Sequence, residues 1–248
     1  MFHQIYITLA GFIIGLLSSM FGFGGSSIST PLLRIFFLIP PYYALASPLP
    51  MTVLSSSVAS ARYYKENLIE WKVVWNLLLF IVPGSVLGAY LTKYISGKVL
   101  MLLTAIFLLY ISLRFILRRD IRRIRKVEKR YLIIPAGFFI GFISGLLANG
   151  GGIFVVPVLF LLGMNLKKAI ASSLVVVLLG VIPSIIVHAY LGHINWLLTL
   201  FLTIGAIPFS YVGASLTVKM DRAKLQFLYG LFLFLFSIYF AIFEIIVS

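Results

Sequence analysis

The chain has 248 residues, of which 62% are hydrophobic and 10% are charged, with a net charge of +14 and no cysteine. This composition excludes an ordinary soluble domain, which is about half apolar and about a quarter charged, and the lack of cysteine excludes disulfides, thiol chemistry and cysteine-ligated metals. No aromatic–basic recognition motif accompanies the positive charge, so we attribute it to cytoplasmic loops and expect no nucleic-acid partner.

Apolar stretches of 17 residues or more recur along the whole sequence and predict an all-α polytopic membrane protein, with the lipid bilayer as its solvent. The N-terminal apolar run has no Lys or Arg before it, so we treat it as structure rather than as a cleaved signal peptide. In chain order, the predicted segments are a long block at 3–39, spans at 44–61, 73–92 and 99–117, a second long block at 131–163, and spans at 169–190, 196–218 and 225–247.

The sequence repeats itself with a period of about 125 residues, which predicts two homologous halves with one fold. "PGSVLGAYLT" at 83–92 matches "PFSYVGASLT" at 208–217, and "IEW" at 69–71 matches "INW" at 194–196. We therefore divide the chain into an N-terminal repeat (1–117), a basic cytoplasmic linker (118–130) and a C-terminal repeat (131–248).

Each repeat opens with a block that is too long for one upright helix. Thirty-odd helical residues would extend about 50 Å, whereas the hydrocarbon core is about 30 Å thick. Each block either crosses once with a strong tilt or breaks at its glycines and folds back as a hairpin. The chain then has eight to ten membrane segments.

The distribution of Lys and Arg distinguishes the two arrangements. If each block crosses once, the halves lie parallel and 12 of the 20 cationic residues are cytoplasmic. If each block is a hairpin, the halves are inverted and 17 of the 20 are cytoplasmic. The positive-inside rule favours the inverted repeat, which is also a common transporter architecture; the parallel alternative stays open.

Glycine-rich segments interrupt both blocks, at "MFGFGGSSISTP" (20–31) and "LLANGGGIFVVP" (146–157). A helix that begins after such a break directs free N–H groups and its positive dipole end into the break, and glycine lets an anion approach the backbone closely. The pattern predicts an anion site from both breaks near the bilayer midplane. Its predicted residues are Gly24, Gly25, Ser26, Ser27, Asn149, Gly150, Gly151 and Gly152. By contrast, we assign Gly11, Gly15, Gly137 and Gly141, in GxxxG-like motifs, to helix packing.

The segments "GFIIGLLSSMFGFGGSSISTPLL" and "GFFIGFISGLLANGGGIFVVPVL", with "KKAIASSLV" and "HINW", resemble the TauE/SafE (sulfite exporter, TSUP) family over nearly the whole chain. The resemblance implies a bacterial or archaeal inner-membrane permease for small sulfur-containing anions such as sulfite or organosulfonates. It adds Gly22 to the glycine site and maps a small polar pair of the family onto Ser172 and Ser173. In the first half the corresponding pair is Ser47 and Pro48, which departs from the pattern.

Two rival classes are weaker. A membrane enzyme would need a nucleophile–base pair or metal ligands at depth, and no histidine stands at helical spacing from the candidate serines. An assembly or interaction protein would not need polar helix breaks. We therefore expect no catalytic residue, metal or cofactor. Proton coupling through His188 or Glu244 and assembly as a homodimer stay open, while the interfacial positions of Arg34 and Arg62 favour snorkelling over anion attraction.

Overall fold

In the computed structural model of the protein, the described residues are 2–91, 106, 109–110, 112–113, 115–117, 130–146 and 152–247. All of the secondary structure in this part of the chain is helical. The helices are α1 (Phe2–Phe21), α2 (Gly25–Phe36), α3 (Pro41–Ala46), α4 (Pro48–Tyr64), α5 (Trp71–Leu91), α6 (Arg130–Leu146), α7 (Gly152–Leu161), α8 (Leu166–Gly180), α9 (Ile182–Tyr190), α10 (Trp196–Lys219) and α11 (Arg222–Val247).

Several of these helices have the length and composition of membrane spans. Gln4–Phe21, Leu166–Tyr190 and Trp196–Lys219 are each long and apolar enough to cross a bilayer. Shorter apolar helices occur at Trp71–Leu87, Ile134–Ser144 and Gly152–Leu161. The described part of the chain therefore has the architecture expected for a polytopic helical membrane protein.

The long blocks are not continuous helices. In the first block, α1 ends at Phe21 and α2 begins at Gly25, with Gly22 and Gly24 at φ +77° and +71° between them. Such φ values end a right-handed helix, and residues other than glycine rarely adopt them. In the second block, α6 ends at Leu146 and α7 begins at Gly152; residues 147–151 lie outside the described residues.

The predicted span 169–190 consists of two helices, α8 and α9, which meet at Val181. Pro183 lacks the N–H that would continue the helical ladder, so the interruption comes just before it. The Val181 N–H still donates to Val177 O at 3.0 Å, so α8 and α9 follow each other without an intervening loop. Most of the predicted span 99–117 and of the linker 118–130 lies outside the described residues, although the final linker residue, Arg130, begins α6.

The four GxxxG-type glycines lie in close helix–helix contacts, so their assignment to packing is confirmed. A β-carbon on Gly11 would come within 2.5 Å of Leu202 O, on the neighbouring helix α10. Further along α1, a β-carbon on Gly15 would come within 2.7 Å of Ala206 Cα, also on α10. Only glycine permits helices to approach so closely.

The second half makes the corresponding contact between α6 and α5. A β-carbon on Gly141 would lie 2.7 Å from Ile81 Cα, and one on Gly137 would lie 3.2 Å from Phe80 Cβ. The first helix of each half thus packs against a helix of the other half. These contacts join the two halves along both helix pairs.

Reciprocal hydrogen bonds also connect the halves. The Asn195 N–H donates to Ser47 Oγ, and the Glu70 N–H donates to Ser172 Oγ, both at 3.0 Å. Glu70 and Asn195 immediately precede α5 and α10, so each serine holds the start of a long helix in the opposite half.

We expect Gly141→Ala to lower the free energy of unfolding by about 1–3 kcal/mol, because the added methyl group overlaps backbone atoms of Ile81 that cannot move independently. Gly180→Ala is the matched control, since nothing lies within 4 Å of its added β-carbon. Thermal unfolding in detergent measures both. Equal melting temperatures for the two variants would contradict the packing assignment.

Candidate functional site

The first glycine break is a tight turn between α1 and α2. The N–H groups of Gly22 and Phe23 both donate to Ser18 O, at 2.8 and 3.2 Å, and so satisfy the end of α1. Two residues later the chain enters α2 at Gly25. The left-handed conformations of Gly22 and Gly24 make this reversal possible within three residues.

The start of α2 carries N–H donors that have no acceptor among the described residues. The first N–H groups of an α-helix have no intrahelical acceptor, and the N-cap residue Gly24 provides no side-chain cap. Among the described residues, no carbonyl outside the helix accepts from the N–H groups of Gly25, Ser26 or Ser27. The segment is buried, because Ser26 is 3% and Ser27 1% exposed. The positive end of the α2 dipole thus lies inside the protein.

The Ser26 hydroxyl also lacks a partner among the described residues. Its Oγ is fully enclosed and makes no hydrogen bond in the described part of the chain. The neighbouring hydroxyls of α2 instead donate to backbone carbonyls, Ser27 to Phe23 O at 3.4 Å and Thr30 to Ser26 O at 3.0 Å. A buried hydroxyl without a hydrogen bond costs about 1–3 kcal/mol, so Ser26 is suited to meet a polar ligand.

Residues from the second half approach this break directly. Ser173 Oγ donates to Gly22 O at 2.8 Å. A β-carbon on Gly152, the first residue of α7, would overlap Phe23 O and lie 2.8 Å from Val177 Cγ2. The start of α7 therefore packs against the break between α1 and α2. The predicted site residues Asn149, Gly150 and Gly151 lie outside the described residues.

Two predicted site residues have structural partners instead. Ser47 Oγ accepts from the Asn195 N–H, and its carbonyl accepts from Thr199 Oγ1 at 2.7 Å. Ser172 Oγ accepts from the Glu70 N–H. Both hydroxyls are used in contacts between the halves, whereas Ser26 is not. Ser172 and Ser173 are adjacent in sequence but bond in different places.

Tyr229 on α11 is a neighbour of the break that sequence reasoning missed. Its ring packs against Phe23 with centroids 5.5 Å apart and against Phe21 at 5.7 Å. The side chain is fully buried, and the hydroxyl has no hydrogen-bond partner in the described part of the chain. A tyrosine in the phenylalanine-rich sequence of α11 gave a weak signal, because only tertiary contacts bring it to the break.

Two cationic side chains near the loops are engaged in local contacts. Arg62 pairs with Glu66 at 2.7 Å and donates from Nε to Ser215 Oγ at 3.2 Å. Lys168 forms an ion pair with Glu70. Both side chains therefore have partners other than the glycine break.

His188 and His193 form a pair at the α9 end of the molecule. Their Nδ1 atoms are 3.3 Å apart, and the His193 N–H donates to His188 O at 3.0 Å. His188 lies in the last turn of α9, and His193 lies in the loop that follows this helix. This arrangement agrees with the loop hydrogen-bonding role favoured by the sequence.

Comparison with known proteins gives a consistent family. The chain is 28% identical to a probable membrane transporter protein, YunE, of Bacillus subtilis, over 88% of this chain and 89% of the relative. It is 28% identical to the probable membrane transporter protein MJ0441 of Methanocaldococcus jannaschii, over 87% and 85%. A probable membrane transporter protein of Haemophilus influenzae is 30% identical over 93% and 95%. No solved structure gives a significant match.

The family model described as "Sulfite exporter TauE/SafE" matches residues 7–240. This range includes both glycine-rich segments, the two serines that join the halves and most of α11. Together with the helical architecture, it indicates a membrane transporter rather than an enzyme. The chain belongs to the TauE/SafE family.

Proposed function

We propose that the protein is a multi-pass permease of the cell membrane that moves small sulfur-containing anions, such as sulfite or organosulfonates, and binds them at the glycine breaks. One observation carries the proposal: the buried start of α2 combines N–H groups that lack described acceptors with the unpartnered Ser26 hydroxyl. The family match supports the transporter class, and its description names sulfite export.

The chemistry of the site suits an oxyanion. The oxygens of sulfite or a sulfonate accept several hydrogen bonds at once, and a helix N-terminus presents its donors in one direction. Glycine has no side chain of its own at this turn, which lets an anion approach the backbone more closely. In our proposal Gly24, Gly25, Ser26 and Ser27 provide this contact, and the second break, at Asn149, Gly150, Gly151 and Gly152, approaches from the other half.

We further propose that the two repeats are inverted. In the inverted arrangement the loop before α5 and the loop before α8 lie on the same side of the membrane, whereas in the parallel arrangement they lie on opposite sides. The Lys168–Glu70 ion pair and the bond from the Glu70 N–H to Ser172 Oγ join these loops directly. Groups separated by a bilayer about 30 Å thick could not make these contacts.

Contacts at the opposite end of the molecule also support inverted repeats. Ser47 bonds to Asn195 and Thr199, at the start of α10, and the parallel arrangement would separate these residues by the membrane. The far end of α10 is next to the α1–α2 turn, because Thr217 Oγ1 donates to Met20 O at 3.1 Å. The α1–α2 turn thus lies at the end of α10, whereas Ser47, which follows the first block, lies at its start. This path supports a hairpin.

Labelling of single cysteines tests the topology, and the native chain contributes no background because it lacks cysteine. We expect Lys65→Cys, Lys168→Cys and Lys219→Cys to react from the cytoplasmic side only, and Tyr190→Cys from the outside only. An impermeant thiol reagent applied to intact cells and to inverted vesicles makes the measurement. Labelling of Lys65→Cys on one side and of Lys168→Cys and Lys219→Cys on the other would establish parallel repeats instead.

Gly25→Ala tests the binding site. Its added β-carbon would meet the flexible end of Met51 at 2.7 Å, and Gly25 does not have a positive φ, so we expect the variant to fold. The methyl group would crowd an anion at the start of α2. We expect wild-type protein to be stabilised by sulfite or a small sulfonate, as any ligand of the native state does, and Gly25→Ala to lose this shift and most of its flux in proteoliposomes.

Two further variants control the experiment. Gly180→Ala adds the same methyl group in open space and should retain both the thermal shift and the flux. Ser26→Ala should weaken binding about threefold to tenfold, because a neutral hydrogen bond contributes roughly 0.5–1.5 kcal/mol, and should not lower the stability of the substrate-free protein.

If Gly25→Ala transports normally, the break is not the binding site. If wild-type protein moves none of sulfite, sulfate, thiosulfate or a small sulfonate, with or without a pH gradient, the proposed substrate class is wrong.

A further inference from the structure

Two buried serines of α4 differ from the other hydroxyl residues of that helix. Thr52, Ser55 and Ser57 donate to carbonyls of their own helix, at 2.9, 3.2 and 2.8 Å. Ser56 and Ser60 are 1% and 7% exposed, yet their hydroxyls have no partner among the described residues. Ordinary backbone bonding inside a helix therefore does not account for these two serines.

Helical periodicity places Ser56 and Ser60 on the face of α4 that carries Thr52 and Tyr63, and these two residues contact the opening block. Residues four apart share a helix face, so Thr52, Ser56 and Ser60 form one row. At one end of this row, Thr52 contacts the break, since its Oγ1 lies 3.0 Å from the position of a β-carbon on Gly25. At the other end, the Tyr63 hydroxyl donates to Ser19 O near the end of α1, at 2.9 Å. Ser56 and Ser60 lie between these two contacts.

We propose that Ser56 and Ser60 form a second anion-contacting stretch, which leads from the start of α2 along α4 toward the Tyr63 end. This inference rests on the proposed function and extends it from a binding site to a path. A hydroxyl enclosed without a partner is unfavourable. Ser56 and Ser60 provide two such hydroxyls one helical turn apart, on the helix whose Thr52 reaches the break, and form a series of donors that a small oxyanion could use in succession. In the proposed topology this path leads to the cytoplasmic end of α4.

Packing alone makes a different prediction. If Ser56 and Ser60 were present only because small residues let helices approach, their accessibility and their effect on flux would match those of Ser55. Ser55 is an apt comparison because it is equally buried, at 2% exposed, is adjacent in sequence and bonds to its own backbone. The two interpretations therefore differ in a measurement on three neighbouring positions.

The first measurement uses thiol accessibility and needs no knowledge of the substrate. S55C, S56C and S60C are made in the cysteine-free chain, reconstituted in vesicles and treated with a small anionic methanethiosulfonate reagent. The serines are enclosed in the structure, so labelling reports the opening of the path during transport. We expect S56C and S60C to react at least tenfold faster than S55C, and methanesulfonate to slow their reaction. Equal rates at all three positions would overturn the path.

The second measurement is flux of sulfite and of a small sulfonate through S55A, S56A and S60A in proteoliposomes. We expect S56A and S60A to slow transport about threefold to tenfold, the loss of one neutral hydrogen bond, and S55A to stay within twofold of wild type. Normal flux through S56A and S60A, with slow labelling, refutes the path while the proposed function stands. Fast labelling of S56C and S60C in a protein that moves no sulfur anion refutes the substrate class and retains the path.

Discussion

The need to satisfy backbone hydrogen bonds without water governs this structure. In the hydrocarbon core an interrupted helix leaves N–H and C=O groups that the protein itself must pair. At the α1–α2 break most of these groups are paired: Gly22 and Phe23 donate to Ser18 O, and Gly22 O accepts from Ser173. Among the described residues, no carbonyl outside the helix accepts from the donors at the start of α2. The proposed site uses these donors and needs no specialised side chain, since its geometry follows from ending one helix and beginning another.

The two halves depend on each other for this geometry. α1 lies against α10 and α6 against α5, in contacts that admit only glycine at their closest points. Ser47 and Ser172 hold the starts of α10 and α5 in the opposite half. A shift of one half relative to the other would therefore disturb the Ser173 contact with the break. Such coupling is what a carrier needs if movement between the halves is to open and close its binding site.

The sequence predicted the helical class, the break in the first block and the packing glycines, because each of these follows from local composition and spacing. The glycines of the break have serines and further glycines around them. This context distinguishes them from the packing glycines Gly11, Gly15, Gly137 and Gly141. What each hydroxyl bonds to could not be predicted. Ser26, Ser47 and Ser172 have the same side chain, yet only Ser26 lacks a partner in the described residues, and this difference depends on which helix of the other half lies nearby.

Tyr229 and the α4 serines were missed for the same reason. A hydroxyl in a membrane helix ordinarily bonds to a carbonyl one turn earlier, as Thr52 does, and nothing in the local sequence around Ser56 shows that it will not. The orphan groups appear only when tertiary packing encloses them. Such groups are informative, because a change to alanine or phenylalanine would remove an unfavourable buried hydroxyl.

The proposed site consists of backbone N–H groups and hydroxyls, and a site of this composition suits transport. An arginine paired with an oxyanion in a low-dielectric interior would form a strong charge-assisted contact, and strong binding slows release. In the proposed site, backbone N–H groups and hydroxyls would replace part of the anion's hydration shell with weaker contacts, so the anion could be held and passed on. Of the described cations near the loops, Arg62 and Lys168 are paired with carboxylates. Their charge lies near helix ends, where positive charge orients membrane proteins.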